Sequence, residues 1–162
     1  DNFSGFVLGF NSCRPKSEGT VSITSSRPGK APSIRPNYLD HEHDRAEALV
    51  MARLIERLMT TPALTGILAD EPMTPLNKMD DDAVLADFRQ RGGTVFHLCG
   101  TCRMGPDAAS SVVDSRLRVH GVEGLRICDA SAFPNITSAN INAPTMMLAH
   151  RAAGMILQDR QR

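Results

Sequence analysis

The sequence predicts an α+β fold, an antiparallel sheet with flanking helices, and three observations carry that prediction. Two short β-prone runs, residues 3–12 and 19–25, are divided by the turn-forming Cys13-Arg-Pro-Lys-Ser-Glu18, the pattern of adjacent antiparallel strands. Residues 40–61 set Ala46, Leu49, Val50, Arg53, Leu54, Arg57 and Leu58 at 3-4 spacing, as an amphipathic helix requires. Residues 144–158 are rich in Met, Ala and Leu and read as a last helix with Pro144 in its first turn, where the missing N–H is not needed.

The remaining elements follow in order. Residues 26–37 hold three prolines and one glycine, which disfavour regular structure and predict a long extended connector over a surface. The 40–61 helix opens with Asp40 and Glu42 near the positive end of its dipole. A shorter helix is expected over 80–90, with Asp80-Asp81-Asp82 at its start and Gly92-Gly93 beyond its end. Three aspartates there read as dipole-matched capping rather than a cation site. After Gly93 the pattern turns to short β-like pieces at 94–98, 116–120 and 124–128. Met146, Met147 and Met155 read as packing side chains, since thioethers fill irregular gaps.

Composition narrows the function classes. With 162 residues the chain has material for one ordinary core. Its 18 acidic and 18 basic residues balance, which leaves no electrostatic footprint for nucleic acid or an anionic membrane surface. No apolar run approaches the roughly 20 residues of a membrane span, and the start lacks a signal peptide's charged and apolar regions. Four cysteines are too sparse for a disulfide scaffold, so a soluble, cytoplasmic protein is expected. The sequence opens at Asp1, within a strand-like run, and is expected to be part of something longer.

Two constellations can carry chemistry. His97 ends a short apolar run directly before Leu98-Cys-Gly-Thr-Cys-Arg-Met-Gly105, where glycines permit sharp turns. It reads either as a general base in a cleft or as a hydrogen-bonded core histidine. Cys99 and Cys102 form a C-x-x-C beside it, which admits zinc, thiol-redox or simple packing readings. The second constellation is Asp129-Ala-Ser-Ala-Phe-Pro134 with Ser138-Ala-Asn-Ile-Asn-Ala-Pro-Thr145. There a polar loop runs into a helix N-terminus, a place for an electron-rich ligand. Asn140 and Asn142, two apart, either share one side of an extended segment or make turns.

Taken together, Thr94-Val-Phe-His-Leu-Cys-Gly-Thr-Cys-Arg-Met-Gly105, the run from Val113 to Ser131, and Asn140-Ile-Asn-Ala-Pro-Thr145 resemble the closing region of the glucose-methanol-choline (GMC) oxidoreductases. Choline-dehydrogenase-like members are most similar. Arg14-Pro-Lys-Ser-Glu-Gly-Thr-Val-Ser22 and Pro36-Asn-Tyr-Leu39 extend the resemblance over nearly the whole chain. It implies a C-terminal part of such an enzyme, with 1–115 mainly from the substrate-binding domain and 116–162 returning to the FAD-binding domain. The family's N-terminal Rossmann part, with its G-x-G-x-x-G, is absent from this sequence. Its partners are therefore expected to be that FAD-binding part of the same chain and an alcohol substrate. The electron acceptor is not named by any motif.

The resemblance implies that His97 is the catalytic base and that Asn142 occupies the second catalytic position. It further implies that Asp129 and Ala130 line the FAD, while Asn142, Ala143, Pro144 and Thr145 lie beside its ring. His97 would take the alcohol proton as hydride leaves for flavin N5, yielding an aldehyde or ketone, and Asn142 would hydrogen-bond the developing alkoxide. Two departures stand out: Leu98-Cys99 replaces a common proline and small residue, and His150 replaces a common glutamate. This piece alone is expected to be inactive. The rival expectation is a non-catalytic binding module, or a small metal-binding domain using His97, Cys99 and Cys102.

Overall fold

The computed structural model describes residues 4–70 and 75–161, and its contacts divide the chain into two compact units. The first holds the described residues of Asp1–Ser12, Lys16–Gly19 and Pro36–Gly93; the second holds Cys13–Pro15, Thr20–Arg35 and those of Thr94–Arg162. Helices and a small antiparallel sheet make the chain α+β, as predicted. No helix among the described residues is long and apolar enough to cross a membrane.

The first unit is helical. Helix α1 (Glu42–Met59) starts at His41, whose ring nitrogen accepts from the His43 N–H, and carries Glu42 and Asp44 in its first turn. Its buried positions are Asp44, Ala48 and Ala52, one residue every turn. Of the apolar residues read at helical spacing, Leu49 packs against the core, whereas Val50, Leu54 and Leu58 are exposed, Val50 to 68 %. Two alanines let neighbouring backbone approach closely, whereas bulkier residues would hold it away. Asp44 tolerates burial because its two oxygens accept the Lys16 and Ser17 N–H groups at 2.8 and 2.7 Å. Burial opposes its charge, but those hydrogen bonds hold the carboxyl below its ordinary range.

Thr61 and Pro62 end α1 and open the short helix α2 (Pro62–Thr65), which the sequence reading did not anticipate. Helix α3 (Asp81–Arg91) is capped by Asp80, which accepts the Ala83 N–H at 2.8 Å. The three aspartates are thus used in its first turn, and Asp81 also pairs with Arg53 of α1 at 2.8 Å. Leu39, Ala48 and Leu85 form the core, with Phe10 and Phe88 packed against it at a ring separation of 5.5 Å.

The run at 3–12 is therefore not a strand over its described residues; it delivers Phe10 to that core. Phe3 lies outside the described residues. Within the second unit, strand β1 (Thr20–Ser22) pairs with β2 (Ser33–Arg35), with Val21 opposite Ile34. The expected connector at 26–37 thus supplies a strand. Its Pro28-Gly29 instead makes the turn: Gly29 has φ +81°, and the Lys30 N–H donates to the Arg27 carbonyl. Of the later β-like pieces, 116–120 and 124–128 meet at an antiparallel bridge between Arg118 and Arg126, while 94–98 is irregular.

Val113, Leu117, Ala132 and Ala152 form the core of this unit, with Met104, Ile127 and Leu148 against them. Leu117 reaches its site with a left-handed backbone, φ 64°. Such a conformation costs a non-glycine residue roughly 1–3 kcal/mol, and full burial of a leucine returns about 1.5–3 kcal/mol. Hydrogen bonds from Leu117 N to Asp114 O and from Ile127 N to Leu117 O tip the balance.

Helix α4 (Asn142–Arg160) begins two residues before the predicted start, leaving Pro144 within the first turn as expected. Its C-terminal turn is clamped. Asp159 accepts from Arg116 at 2.7 Å and from Arg126 through its other oxygen, while Arg126 also donates to the Arg116 carbonyl at 2.6 Å. Arg126, then Arg116, holds the Asp159 carboxyl below the usual range, partly offset by desolvation. A depressed folded-state pKa contributes stability above the unfolded value of about 3.9 and loses it as pH falls through the folded value. Asp159→Asn is accordingly expected to destabilise the protein at pH 7, with the difference from wild type shrinking below about pH 4. Urea unfolding at both pH values checks this; an equal difference at both would refute it.

Candidate active site

His97 lies in an irregular segment between α3 and the turn at Thr101-Cys102. Phe96 before it has φ 60°, and its N–H donates to Thr94 Oγ1 at 3.0 Å. This reversal leaves Phe96 86 % exposed and His97 half-buried. His97 is thus not an enclosed core histidine in this chain.

The residues after His97 are stitched to the second predicted constellation. The Gly100 and Cys102 N–H groups both donate to the Ser131 carbonyl, at 3.1 and 3.0 Å, and the Met104 N–H donates to Ala132 O at 2.9 Å. Ser131 and Ala132 belong to a 3-10 turn (Ala130–Ala132) capped by Asp129, which accepts the Ser131 N–H at 2.8 Å and the Ser131 hydroxyl. Asp129 is therefore a turn-forming carboxylate, and Ala130 is half-buried at the turn's start. Gly100 meets the geometry with φ +92°, a backbone that favours glycine.

Asn142 opens α4. The preceding Ile141 is buried to 4 % exposure, and its carbonyl accepts both the N–H and the hydroxyl of Thr145 at 2.9 and 2.7 Å. No side chain caps this helix start, and its first turn holds no acidic residue. Pro144 has no N–H, so Asn142 and Ala143, both exposed, present the donors of the helix's positive end. That donor set fits an electron-rich ring edge such as that of a flavin. Among the described residues no hydrogen bond joins His97 to Asn142.

All four cysteines are half-buried, and Cys128 packs against the core of the second unit. Burial pushes the Cys99 thiol up, with Arg103 opposing, and burial with Asp129 pushes Cys128 up. A redox C-x-x-C needs the reverse. Among the described residues no group of three His, Cys, Asp or Glu is placed to hold a metal ion, so the zinc trio His97, Cys99 and Cys102 does not assemble. An open depression of about 590 Å³ is lined by Asp114 and residues 118–126 and includes no predicted site residue. The carbonyls of Ser131 and Ala132 escaped sequence reasoning, because main-chain acceptors have no sequence signal.

With this geometry in view, comparison with known proteins identifies the class. Residues 15–149 match the GMC oxidoreductase C-terminal family, and the chain belongs to it. It is 40 % identical over 152 residues to the oxygen-dependent choline dehydrogenase of Proteus mirabilis strain HI4320, covering 94 % of this chain and 27 % of that protein. To the alcohol dehydrogenase [acceptor] of Pseudomonas putida it is 36 % identical over 154 residues, covering 95 % and 28 %. The solved FAD-dependent oxidoreductase of Chaetomium thermophilum superposes with a TM-score of 0.84 at 27 % identity, covering 92 % of this chain and 26 % of that one. The chain thus spans about a quarter of the length of its relatives.

A Cβ on Gly100 would meet only Phe133 O at 3.6 Å, so strain there is conformational rather than steric. Gly100→Ala is expected to cost about 1–3 kcal/mol in urea unfolding. Gly93→Ala, in open space with ordinary backbone, serves as the control and should change stability far less. Equal effects of the two substitutions would remove the stitching role assigned to Gly100.

Proposed function

We propose that this chain is the C-terminal catalytic part of an FAD-dependent alcohol oxidoreductase similar to choline dehydrogenases. Residues 1–115 would come mainly from its substrate-binding domain, and 116–162 would return to its FAD-binding domain. The observation that carries the reading is the backbone stitch between the His97 segment and the Asp129–Ala132 turn, within a chain of this family. The full-length protein's partners are then an alcohol and its own N-terminal FAD-binding part. Four free cysteines favour a reducing, cytoplasmic location.

His97 accepts the hydroxyl proton of the alcohol. Asn142 donates its amide N–H to the oxygen as negative charge develops there, and an amide already held in place needs no reorganisation. Bound FAD supplies the hydride acceptor for the carbinol carbon. Ala143, Pro144 and Thr145 would form the wall beside it, and the uncapped N–H groups of Asn142 and Ala143 would offer hydrogen bonds to its polar edge. Asp129 and Ala130 hold the turn that aligns the His97 segment.

The test is anaerobic stopped-flow bleaching of the flavin in the full-length protein by choline and simple alcohols. His97→Gln should retain FAD and slow bleaching by about 10²–10⁴-fold, the range for loss of a general base. Asn142→Ala should slow it by up to about 10²–10³-fold, as for an oxyanion donor. Unchanged bleaching by His97→Gln would sink the role assigned to His97, whereas no flavin in the full-length protein after reconstitution would put the non-catalytic binding module in place of the enzyme reading.

A further inference from the structure

The segment from Pro134 to Ile141 carries Asn142 into α4 but has no regular structure of its own. Its internal hydrogen bonds are short-range: the Ile136 N–H donates to the Asn135 side chain at 2.8 Å, and Thr137 Oγ1 to the Ala139 carbonyl at 3.1 Å. Such bonds shape individual turns but do not tie the loop to the rest of the unit. Buried Ile141 secures its far end. A hydrogen bond from distant sequence reaches its middle: Arg14 Nη2 donates to Ser138 Oγ at 2.7 Å across 124 residues. Both residues belong to the second compact unit. Pro15 restricts Arg14 to extended backbone, so the guanidinium is launched from a stiff base.

We propose that Arg14 is a positioning residue for alcohol oxidation, acting through Ser138 to hold the loop that presents Asn142. The inference rests on the reading of Asn142 as the alkoxide's hydrogen-bond donor. Arg14 lies on the far side of Ser138 from Asn142 along this chain of contacts, and its effect is on orientation rather than on charge at the reacting oxygen. Small misplacements of a catalytic group lower the rate of the chemical step. Loss of Arg14 should thus appear in the limiting rate of flavin reduction and leave KM nearly unchanged.

The experiment uses the full-length FAD-bound enzyme, with choline, ethanol and benzyl alcohol as probes and anaerobic flavin bleaching as readout. Arg14→Ala and Ser138→Ala are each expected to slow the limiting rate about tenfold, the double variant no more than either single one. Arg14→Lys, which keeps a cationic donor, should recover most of the rate. In an Asn142→Ala background, Arg14→Ala should cause no further slowing. Ser138→Ala removes one exposed hydroxyl and carries the test if Arg14→Ala does not fold. Wild-type rates in Ser138→Ala, or the same tenfold loss from Arg14→Ala with and without Asn142, would overturn the proposal. A wild-type rate in Asn142→Ala alone would fell the reading of Asn142 and the proposal with it, whereas a slow Asn142→Ala beside a normal Arg14→Ala would fell only the proposal.

Discussion

The Ser131 and Ala132 carbonyls accept three N–H groups from Gly100, Cys102 and Met104, and the proposed site depends on that junction. Hydrogen bonds to main-chain carbonyls are directional and short, so they set the register of two segments about 30 residues apart far more tightly than apolar contact alone would. The Asp129 carboxylate holds the acceptor side by bonding Ser131 within its own turn. Gly100 lets the donor side enter with φ +92°. Beneath them, Val113, Leu117 and Ala132 are almost wholly withdrawn from water, which gives the junction a rigid floor.

The two ends of α4 do different work. At its C-terminal end Asp159 faces two arginines, and because all three side chains keep some exposure, the clamp's contribution to stability is modest. At its N-terminal end no side chain consumes the first-turn donors, and the exposed Asn142 and Ala143 remain available to a ligand. A helix fixed at one end and uncapped at the other is a suitable support for a binding edge. Large apolar side chains around the site, Phe96 and Met146 among them, are exposed, as fits a chain spanning a quarter of its relatives' length.

Much of this was legible in sequence, for identifiable reasons. Helices α1, α3 and α4 announced themselves through spacing, capping aspartates and a first-turn proline, all of which are local signals. Strand pairing was not local: β2 lies in a proline-rich stretch read as a connector, and its pairing with β1 depends on the Pro28-Gly29 turn. The buried face of α1 was legible only in part: Leu49 packs against the core as its spacing suggests, but the buried positions are Asp44, Ala48 and Ala52. Ala48 and Ala52 admit close neighbours where Val50 and Leu54 do not.

By itself the sequence determined the family, through several long motifs in a set order, and with it the identity of His97 and Asn142 as residues to examine. It also determined the helix boundaries to within a few residues, because caps and prolines act on their immediate neighbours. Only the tertiary structure decided which segments meet: the His97 loop on the Ser131 carbonyl, Arg14 on Ser138, and Asp159 between Arg116 and Arg126. The physical reason is that these contacts join residues between about 30 and 124 positions apart, and several run through main-chain atoms that every residue possesses.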